Sequence, residues 1–504
     1  MVKLTVDVTL PIITAIVNKS IETCTFPTSW KKALVRPLPK KNSIDKLKDL
    51  RPISILPVLS KVVESVVLGQ VLSYLENTSV IPKYQSGFRR GHGTETALLH
   101  VTDDITEASD RGLSTIMVLL DYSRAFDCLH PGLLLAKLEY YGFSPRTVQW
   151  FESYLTGREQ MVITDGKDGE KRCSTLRKLY RGVPQGALLS PILFTIFTAD
   201  LVKCIESCKY HLYADDTQLY YSFKSENVRE AINKINSDLH KVYNYSQDNS
   251  LVLNPEKSQL LVLGTKHQIQ RVRDCPEKVK INGVVVDQVK TARNLGLILD
   301  GEQKYIDHVN EKIRNAFFRL KTLYKIRPCL NEELRLLLTE TLVLSPFNYC
   351  SSVFGPRINS NTERAIQRVQ NACIRFSFNI KRGEHITPYL NKKGILNMNA
   401  RRDLHYACTV QRVIWNGKPE YLFEKLTWVK DVTHRTLRSA TQNLIRTQDH
   451  KSARYRGCFK FNAAKIWNDL PPPMKKKTGT GTFKLKYKSA LLKRQTAAED
   501  LKLP

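Results

Sequence analysis

The chain lacks the long apolar segments that membrane insertion and secretion require. No uninterrupted stretch of about 18 apolar residues occurs among its 504 residues, so we expect no membrane-spanning helix and no membrane partner. The apolar N-terminal stretch is interrupted by Asp7 and Pro11, and no cleavage site of small residues follows it before Lys19. We therefore expect no signal peptide.

Paired cysteines are also missing. The eleven cysteines are an odd number, and no two of them form a C-x-x-C motif. Cys204, Cys208 and His211 are close enough in sequence to suggest zinc, but no fourth ligand lies nearby. We therefore expect reduced structural thiols and a reducing compartment, which means the cytoplasm and/or the nucleus.

Glycine and proline are scarce, with 23 and 22 residues, and neither an internal repeat nor a low-complexity tract occurs. Apolar residues make up 42% of the chain and charged residues 25%, which is typical of globular rather than disordered or fibrous proteins. A chain of this length is expected to form about three domains.

Acidic residues are few beside the basic ones. The chain has 78 Lys and Arg against 48 Asp and Glu, a net charge of +30. Residues 1–300 hold 39 basic and 32 acidic side chains, whereas residues 301–504 hold 39 and 16. Such an excess favours a polyanionic partner, nucleic acid above all. A ribosome-like or merely solubilising basic surface is the alternative.

Short β-rich runs alternate with helical stretches up to about residue 300, which indicates an α/β or α+β domain. Beyond it the pattern is mainly helical. In residues 311–325, for example, Ile313, Phe317, Leu320 and Tyr324 share one face of the expected helix.

Two groups of carboxylates carry the chemistry. The apolar run Ser114–Leu120 predicts a buried strand that delivers Asp121 at its C-terminal end. Residues 210–213 and 217–221 predict a hairpin with Asp215 and Asp216 at its tip. An Asp-Asp pair alone is more often a solvated turn. Three carboxylates at neighbouring strand ends, however, repel one another and would supply the oxygen ligands that Mg²⁺ prefers.

A third element lies between these two in the sequence. Residues 181–191 contain Gly182 and Gly186, which allow close backbone approach, and Gln185, whose amide can hydrogen-bond beside a nucleotide. They lead into an apolar, helix-like run over residues 192–201.

In this order and spacing, the three elements resemble the palm motifs of reverse transcriptases, with the greatest similarity to the non-LTR (LINE-type, jockey-like) retrotransposon group. Further stretches of the chain match other blocks of that group, the C-terminal one only loosely: residues 25–31, 37–40, 50–54, 85–94, 253–258, 294–300 and 467–471.

The resemblance implies an α+β right-hand polymerase fold and an RNA-directed DNA polymerase that extends a DNA primer on an RNA template with dNTPs. The expected divisions are an N-terminal extension (1–22), fingers and palm (23–300), a mainly α-helical thumb (301–400) and a basic C-terminal region (401–504). The sequence gives no indication of a protein partner.

The resemblance also implies a metal site. Asp121, Asp215 and Asp216, with the carbonyl oxygen of Tyr122, would hold two Mg²⁺ ions, for which Mn²⁺ is a possible substitute. Asp127 is expected to be structural rather than a metal ligand.

Further residues are implied to bind the nucleotide. Phe126 would exclude a 2′-hydroxyl, and an ordinary core phenylalanine is the alternative. Gln185 would touch the nucleotide and template from the other side, and Gly186 would leave room for that approach. Lys40 and Arg51 would grip the triphosphate, although a solvated lysine fits residue 40 nearly as well. Lys257 would protonate or steady the pyrophosphate.

Other basic and aromatic residues would contact the template. Arg89, Arg90 and His92 are candidates for its backbone, and an exposed loop is the alternative. The basic thumb would hold primer–template through phosphates. Aromatic residues of this half could stack on RNA, but we expect at least half of them to be core: Trp415, Trp428, Tyr455 and Trp467.

Two other functions remain open. One is a catalytically inactive RNA-binding remnant of a transposable element. The other is an RNA-dependent RNA polymerase, against which Phe126 argues. The sequence contains no recognisable endonuclease, zinc knuckle or RNase H arrangement, so target-site nicking is not expected of this chain.

Overall fold

The fold was analysed in a computed structural model, which describes residues 6–40, 43, 45–166, 168–432 and 443–500. The helices, in chain order, are α1 (Val6–Glu22), α2 (Val58–Asn77), α3 (Thr94–Asp110), α4 (Pro131–Tyr140), α5 (Pro145–Leu155), α6 (Ser190–Phe197), α7 (Val228–Asp248), α8 (Lys266–Asp274), α9 (Ile306–Lys325), α10 (Glu332–Leu338), α11 (Ser351–Phe354), α12 (Ser360–Phe378), α13 (Thr387–Lys392), α14 (Met398–Asn416), α15 (Glu420–Phe423), α16 (Val429–Val432), α17 (Phe459–Asp469) and α18 (Thr480–Asp500). The strands are β1 (Lys32–Pro39), β2 (Leu50–Ile55), β3 (Ser114–Leu120), β4 (Tyr122–Ser123), β5 (Glu159–Asp165), β6 (Lys171–Cys173), β7 (Arg177–Lys178), β8 (Lys209–Tyr213), β9 (Asp216–Phe223), β10 (Val252–Leu253), β11 (Gln259–Leu263), β12 (Lys280–Ile281), β13 (Val284–Val285), β14 (Gln288–Val289), β15 (Thr291–Asn294) and β16 (Leu297–Asp300).

A five-stranded sheet in the order β14-β11-β3-β9-β8 forms the centre of the palm. The predicted buried strand is confirmed as β3, which pairs antiparallel with both β9 and β11. Ile116 and Val118 belong to one hydrophobic core, and Met117 belongs to a second. Because β3 is covered on both faces, its sequence is a continuous apolar run.

A second sheet forms the fingers, in the order β2-β1-β5-β6, with β7 also paired to β5. Strands β1 and β2 form an antiparallel hairpin in which Leu38 faces Arg51. The N–H of Lys40 donates to the carbonyl of Asp49 at 2.8 Å, which extends the hairpin beyond the strands. Lys40 and Arg51 therefore lie at the same end of the fingers sheet.

Helix α2 is the one described helix that is long and apolar enough to cross a membrane, judged by length and composition alone. Its side chains Val63, Val67 and Val71 pack in the first core. Glu64 is buried and accepts the N–H groups of Leu188 and Leu189 at 2.7 and 3.3 Å. These contacts are those of a core helix that supports the start of α6.

The helix expected in the thumb is α9. On the face that was predicted to be apolar, Leu320 is buried, whereas Phe317 and Tyr324 are 42% and 45% exposed. One hydrophobic core joins residues of the palm, of the thumb and of the C-terminal helices. Helix α14 runs across residue 400, where the thumb was predicted to end, and that boundary remains a prediction.

Acidic side chains of α3 join the C-terminal region to the palm. Asp103 is fully buried and accepts the N–H groups of Phe459 and Lys460 at 2.7 and 3.2 Å, which caps α17. Asp110 accepts the N–H of Ser452 at 2.7 Å. The C-terminal region thus packs directly on a palm helix.

The aromatic residues of this region are mostly packed rather than available for stacking. Tyr455 and Trp467 are 5% and 2% exposed, which confirms the core interpretation for these two. Trp415 and Trp428 are half-buried against Phe483 and Trp467.

Candidate active site

Asp121 directly follows the central strand of the palm. The last pair of the β3–β9 ladder joins Leu120 to Thr217. The carbonyl of Asp121 accepts the N–H of Asn254 at 2.8 Å, and its N–H donates to Oγ of Ser258 at 3.3 Å. The segment after β10 therefore fixes the backbone that carries this carboxylate.

Asp215 and Asp216 lie on the predicted hairpin, which the structure confirms. Tyr213 pairs with Asp216, so Ala214 and Asp215 form the tip. Ala214 has a φ of 57°, in the left-handed region. Since β3 and β9 are neighbours about 4.8 Å apart, Asp216 and Asp121 lie beside each other at one end of the sheet.

The three carboxylates perturb one another. Burial and the charges of Asp215 and Asp121 raise the pKa of Asp216 to about 6. The pKa of Asp215 is raised by burial and by Asp121, while Arg51 opposes this shift. A site that concentrates negative charge in this way favours a proton or a cation.

The donor set fits a divalent cation, although within the described ranges no three His, Cys, Asp or Glu side chains are grouped as a metal centre. Oδ2 of Asp121 is buried and has no hydrogen-bond partner among the described residues. The phenol of Tyr122 is buried, with Oη 3.2 Å from Oγ of Ser246. Only the backbone carbonyl of Tyr122 is therefore suited to join Asp121, Asp215 and Asp216 as a ligand.

Lys257 lies next to this site, and Phe126 follows Asp121 by five residues in the chain. Nζ of Lys257 is 3.6 Å from Oδ2 of Asp121, so the lysine is placed beside the carboxylates. Phe126 lies in the short turn that follows β4, and its half-buried ring is 5.1 Å from that of Phe194, centroid to centroid.

Gln185 connects palm and fingers. Its Nε2 donates to Oδ1 of Asp127 at 2.9 Å, and its carbonyl accepts the N–H of Ser54 at 2.7 Å. Asp127 thus has the structural role expected of it. Gly186 has a φ of 126°, and a Cβ there would lie 2.7 Å from the carbonyl oxygen of Ser54. The close approach of β2 therefore requires glycine at this position, and the role of Gly186 beside the nucleotide stays a prediction.

Of the fingers residues, Arg51 is near enough for its charge to oppose the raised pKa of Asp215. Lys40 is exposed at the end of β1, on the same hairpin. The structure therefore places Lys257 beside Asp121, and the charge of Arg51 acts on Asp215.

Sequence reasoning assigned no supporting role to several residues of this site. Oε1 of Gln85 accepts the N–H of Ala214 at 3.1 Å, and Asn254 and Ser258 hold Asp121. These residues lie in recognised motifs, but their roles depend on distant partners. Arg89, expected at the template, donates to the carbonyls of Pro82 and Gln85, both at 3.0 Å, and so holds its own loop.

The geometry agrees with the comparison to known families. A family model described as reverse transcriptase (RNA-dependent DNA polymerase) matches residues 38–299, more than half of the chain. The chain belongs to the reverse transcriptase family, whose members use divalent metal ions.

Among its relatives is the RNA-directed DNA polymerase from mobile element jockey of Drosophila melanogaster, 27% identical over 376 residues, which are 72% of this chain and 39% of that protein. The probable RNA-directed DNA polymerase from transposon X-element of the same fly is 27% identical over 377 residues, 72% of this chain and 39% of the relative. The chain spans about two fifths of the length of these relatives. A solved structure of apo telomerase from Candida tropicalis covers 54% of each chain at 14% identity, with a TM-score of 0.37.

Proposed function

We propose that this chain is the RNA-directed DNA polymerase of a non-LTR, LINE-type retrotransposon. It extends a DNA primer on an RNA template with dNTPs. The observation that carries the proposal is the meeting of Asp121, Asp215 and Asp216 at one end of the palm sheet, where the pKa of Asp216 is raised to about 6.

The three aspartates, with the carbonyl of Tyr122, would hold two Mg²⁺ ions, or Mn²⁺ in their place. When bound, the ions supply the charge that activates the primer 3′-hydroxyl and neutralises the triphosphate. The protein contributes fixed ligands. The backbone of Asp121 is held by bonds from Asn254 and to Ser258.

The protein residues that we propose to bind the incoming nucleotide surround this metal site. Phe126, backed by Phe194, presents a ring that would leave no room for a 2′-hydroxyl, so deoxynucleotides are selected. Arg51 and Lys40 of the fingers bind the triphosphate, where negative charge accumulates on the leaving pyrophosphate. Lys257 stands where it can steady or protonate that leaving group.

Gln185 and Gly186 shape the side of the pocket that faces the template. The bond from Gln185 to Asp127 and the close approach of Gly186 to Ser54 hold fingers and palm at a fixed separation. The nucleotide is thereby placed between the two sheets.

The basic second part of the chain grips the nucleic acid. Residues 301–504 carry 39 basic against 16 acidic side chains, and phosphate contacts of this kind give affinity without reading sequence. All eleven cysteines are free thiols, which supports a reducing compartment, the cytoplasm and/or the nucleus.

Primer extension tests the proposal. The purified chain, given an RNA template annealed to a DNA primer, Mg²⁺ and dNTPs, should extend the primer. Asp215→Asn should lower the rate at least about a thousandfold, because a ligand of the divalent ions is lost. Its affinity for primer–template, measured by fluorescence anisotropy, should change less than twofold.

Inactivity of the wild-type chain with intact binding would instead support the RNA-binding remnant. Equal activity of Asp215→Asn would show that the site is elsewhere. Extension with NTPs in preference to dNTPs would favour the RNA-dependent RNA polymerase.

A further inference from the structure

The tip of the catalytic hairpin is held from outside by the loop that precedes α3. Oε1 of Gln85 accepts the N–H groups of Gly87 at 2.8 Å and of Ala214 at 3.1 Å. A Cβ on Gly87 would lie 2.4 Å from the nitrogen of Ala214, so loop and tip are in close contact. Because Ala214 has a left-handed backbone, which is unfavourable for a residue other than glycine, the turn that carries Asp215 depends on this support.

The hydroxyl of Ser86 links this loop to the C-terminal region. Ser86 donates its N–H to the carbonyl of Leu212 at 2.9 Å. Its Oγ lies 2.9 Å from Nε2 of His211 and 2.8 Å from Oη of Tyr421. Tyr421 belongs to α15 and is 3% exposed. The buried hydroxyl of Ser86 therefore connects His211 of β8 with a residue more than 300 positions away, while its backbone N–H binds Leu212 of the same strand.

One arrangement of protons satisfies every bond in this chain. Thr96 donates its hydroxyl to the carbonyl of Gly93 at 2.9 Å, so Tyr421 must donate to Oγ1 of Thr96 at 3.2 Å. Ser86 then donates to Oη of Tyr421 and accepts from Nε2–H of His211. Burial lowers the pKa of His211 well below its usual value, so the ring is neutral and carries a single proton. The phenol of Tyr421 is therefore both the acceptor from Ser86 and the donor to Thr96.

The segment that carries Tyr421 is itself fixed to the palm. Nζ of Lys425 lies 2.8 Å from Oδ1 of Asp104 on α3, and both side chains are nearly buried. Oδ2 of Asp104 accepts the hydroxyl of Tyr220 on β9 at 2.9 Å. The C-terminal region is thus attached to both strands of the hairpin.

We propose that Tyr421 is a positioning residue for nucleotidyl transfer, which acts through Ser86 on the loop that supports Ala214, Asp215 and Asp216. The proposal rests on the polymerase function proposed above. It makes the C-terminal region a part of the catalytic centre, in addition to any grip on nucleic acid.

Tyr421→Phe in the full chain removes only the hydroxyl and keeps the packed ring. In primer extension we expect kcat to fall about tenfold, which matches the loss of one buried hydrogen bond. The KM for dNTP and the Kd for primer–template should stay within twofold. Amide hydrogens of residues 211–217 should exchange faster by a similar factor. Ser86→Ala should give the same loss, and the double variant should be no worse than either single variant.

Tyr406→Phe is the matched control, because Tyr406 is also a buried tyrosine of the C-terminal region and its Oη has no hydrogen-bond partner in the part of the chain that is described. It should leave kcat and exchange at the hairpin unchanged. Wild-type kcat in Tyr421→Phe, or equal losses in both variants, would overturn the proposal. If the wild-type chain is inactive, the proposed function fails. In that case amide hydrogen exchange at residues 211–217 is the remaining test of the positioning role. Exchange rates in Tyr421→Phe that equal those of the wild type would overturn it.

Discussion

At Asp216, the folded chain binds a proton more tightly than the unfolded chain does. Burial and two neighbouring carboxylates raise its pKa to about 6, from an ordinary value near 4. Stability of the metal-free protein should therefore fall as pH rises from about 4 to about 6, and stay low above that range.

Asp216→Asn removes this charge and should stabilise the metal-free protein by roughly 1 kcal/mol at pH 7.5, after allowance for solvent screening. At pH 4, where Asp216 is protonated, the substitution should have little effect. Thermal unfolding in EDTA at both pH values measures it. Asp168→Asn, in the exposed loop between β5 and β6, is the control and should not change this pH dependence. Parallel pH profiles of the two variants would contradict the electrostatic interpretation.

The same residue should determine the response to metal. Mg²⁺ or Mn²⁺ added at pH 7.5 should raise the unfolding temperature of the wild-type chain more than that of Asp216→Asn, because one ligand is then neutral. Equal shifts would mean that the cation binds elsewhere.

Among the elements, the loop that contains Gly186 packs closely against strand β2 of the fingers. Gly186→Ala would place a methyl group 2.7 Å from a backbone oxygen of Ser54, at a φ of 126° that alanine rarely adopts. We expect a loss of about 2 kcal/mol or more in the free energy of unfolding, together with a raised KM for dNTP.

Gly69→Ala is its control. Gly69 lies within α2, and nothing lies within 4 Å of the position of the added Cβ. This variant should stabilise the protein by up to about 1 kcal/mol, since alanine favours a helix. Urea unfolding of both variants measures the difference. Destabilisation of both to the same extent would show that crowding at Ser54 is not the cause.

How well each element could be predicted from the sequence depends on how far along the chain its contact partners lie. Strand β3 and the β8–β9 hairpin are predicted by local apolar patterns and turn residues, and Asp121, Asp215 and Asp216 follow from them. Glycine at 186 was recognised, but its reason is contact with a strand more than 100 residues earlier. Tyr421 lies 335 residues after Ser86, and no periodicity in its own segment indicates that pairing.

For the whole molecule, the uneven charge leads to a prediction about nucleic-acid binding. If the excess of residues 301–504 contacts phosphates, the affinity for primer–template should fall at least about a hundredfold between 50 and 200 mM KCl. Fluorescence anisotropy at several salt concentrations gives the slope, and Asp215→Asn should show the same one. An affinity that hardly changes with salt concentration would show that the basic thumb does not bind the nucleic acid through its phosphates.

The cap that Asp103 places on α17 has a consequence for synthesis. Phe459, which donates to Asp103, is made 356 residues later than its partner. At about 5–20 residues per second, translation leaves this carboxylate without that partner for about 20–70 s. The strands of the palm sheet, the last of which ends at Val289, are therefore all made before Phe459. The contact between α3 and α17 can form only after that sheet has been synthesised.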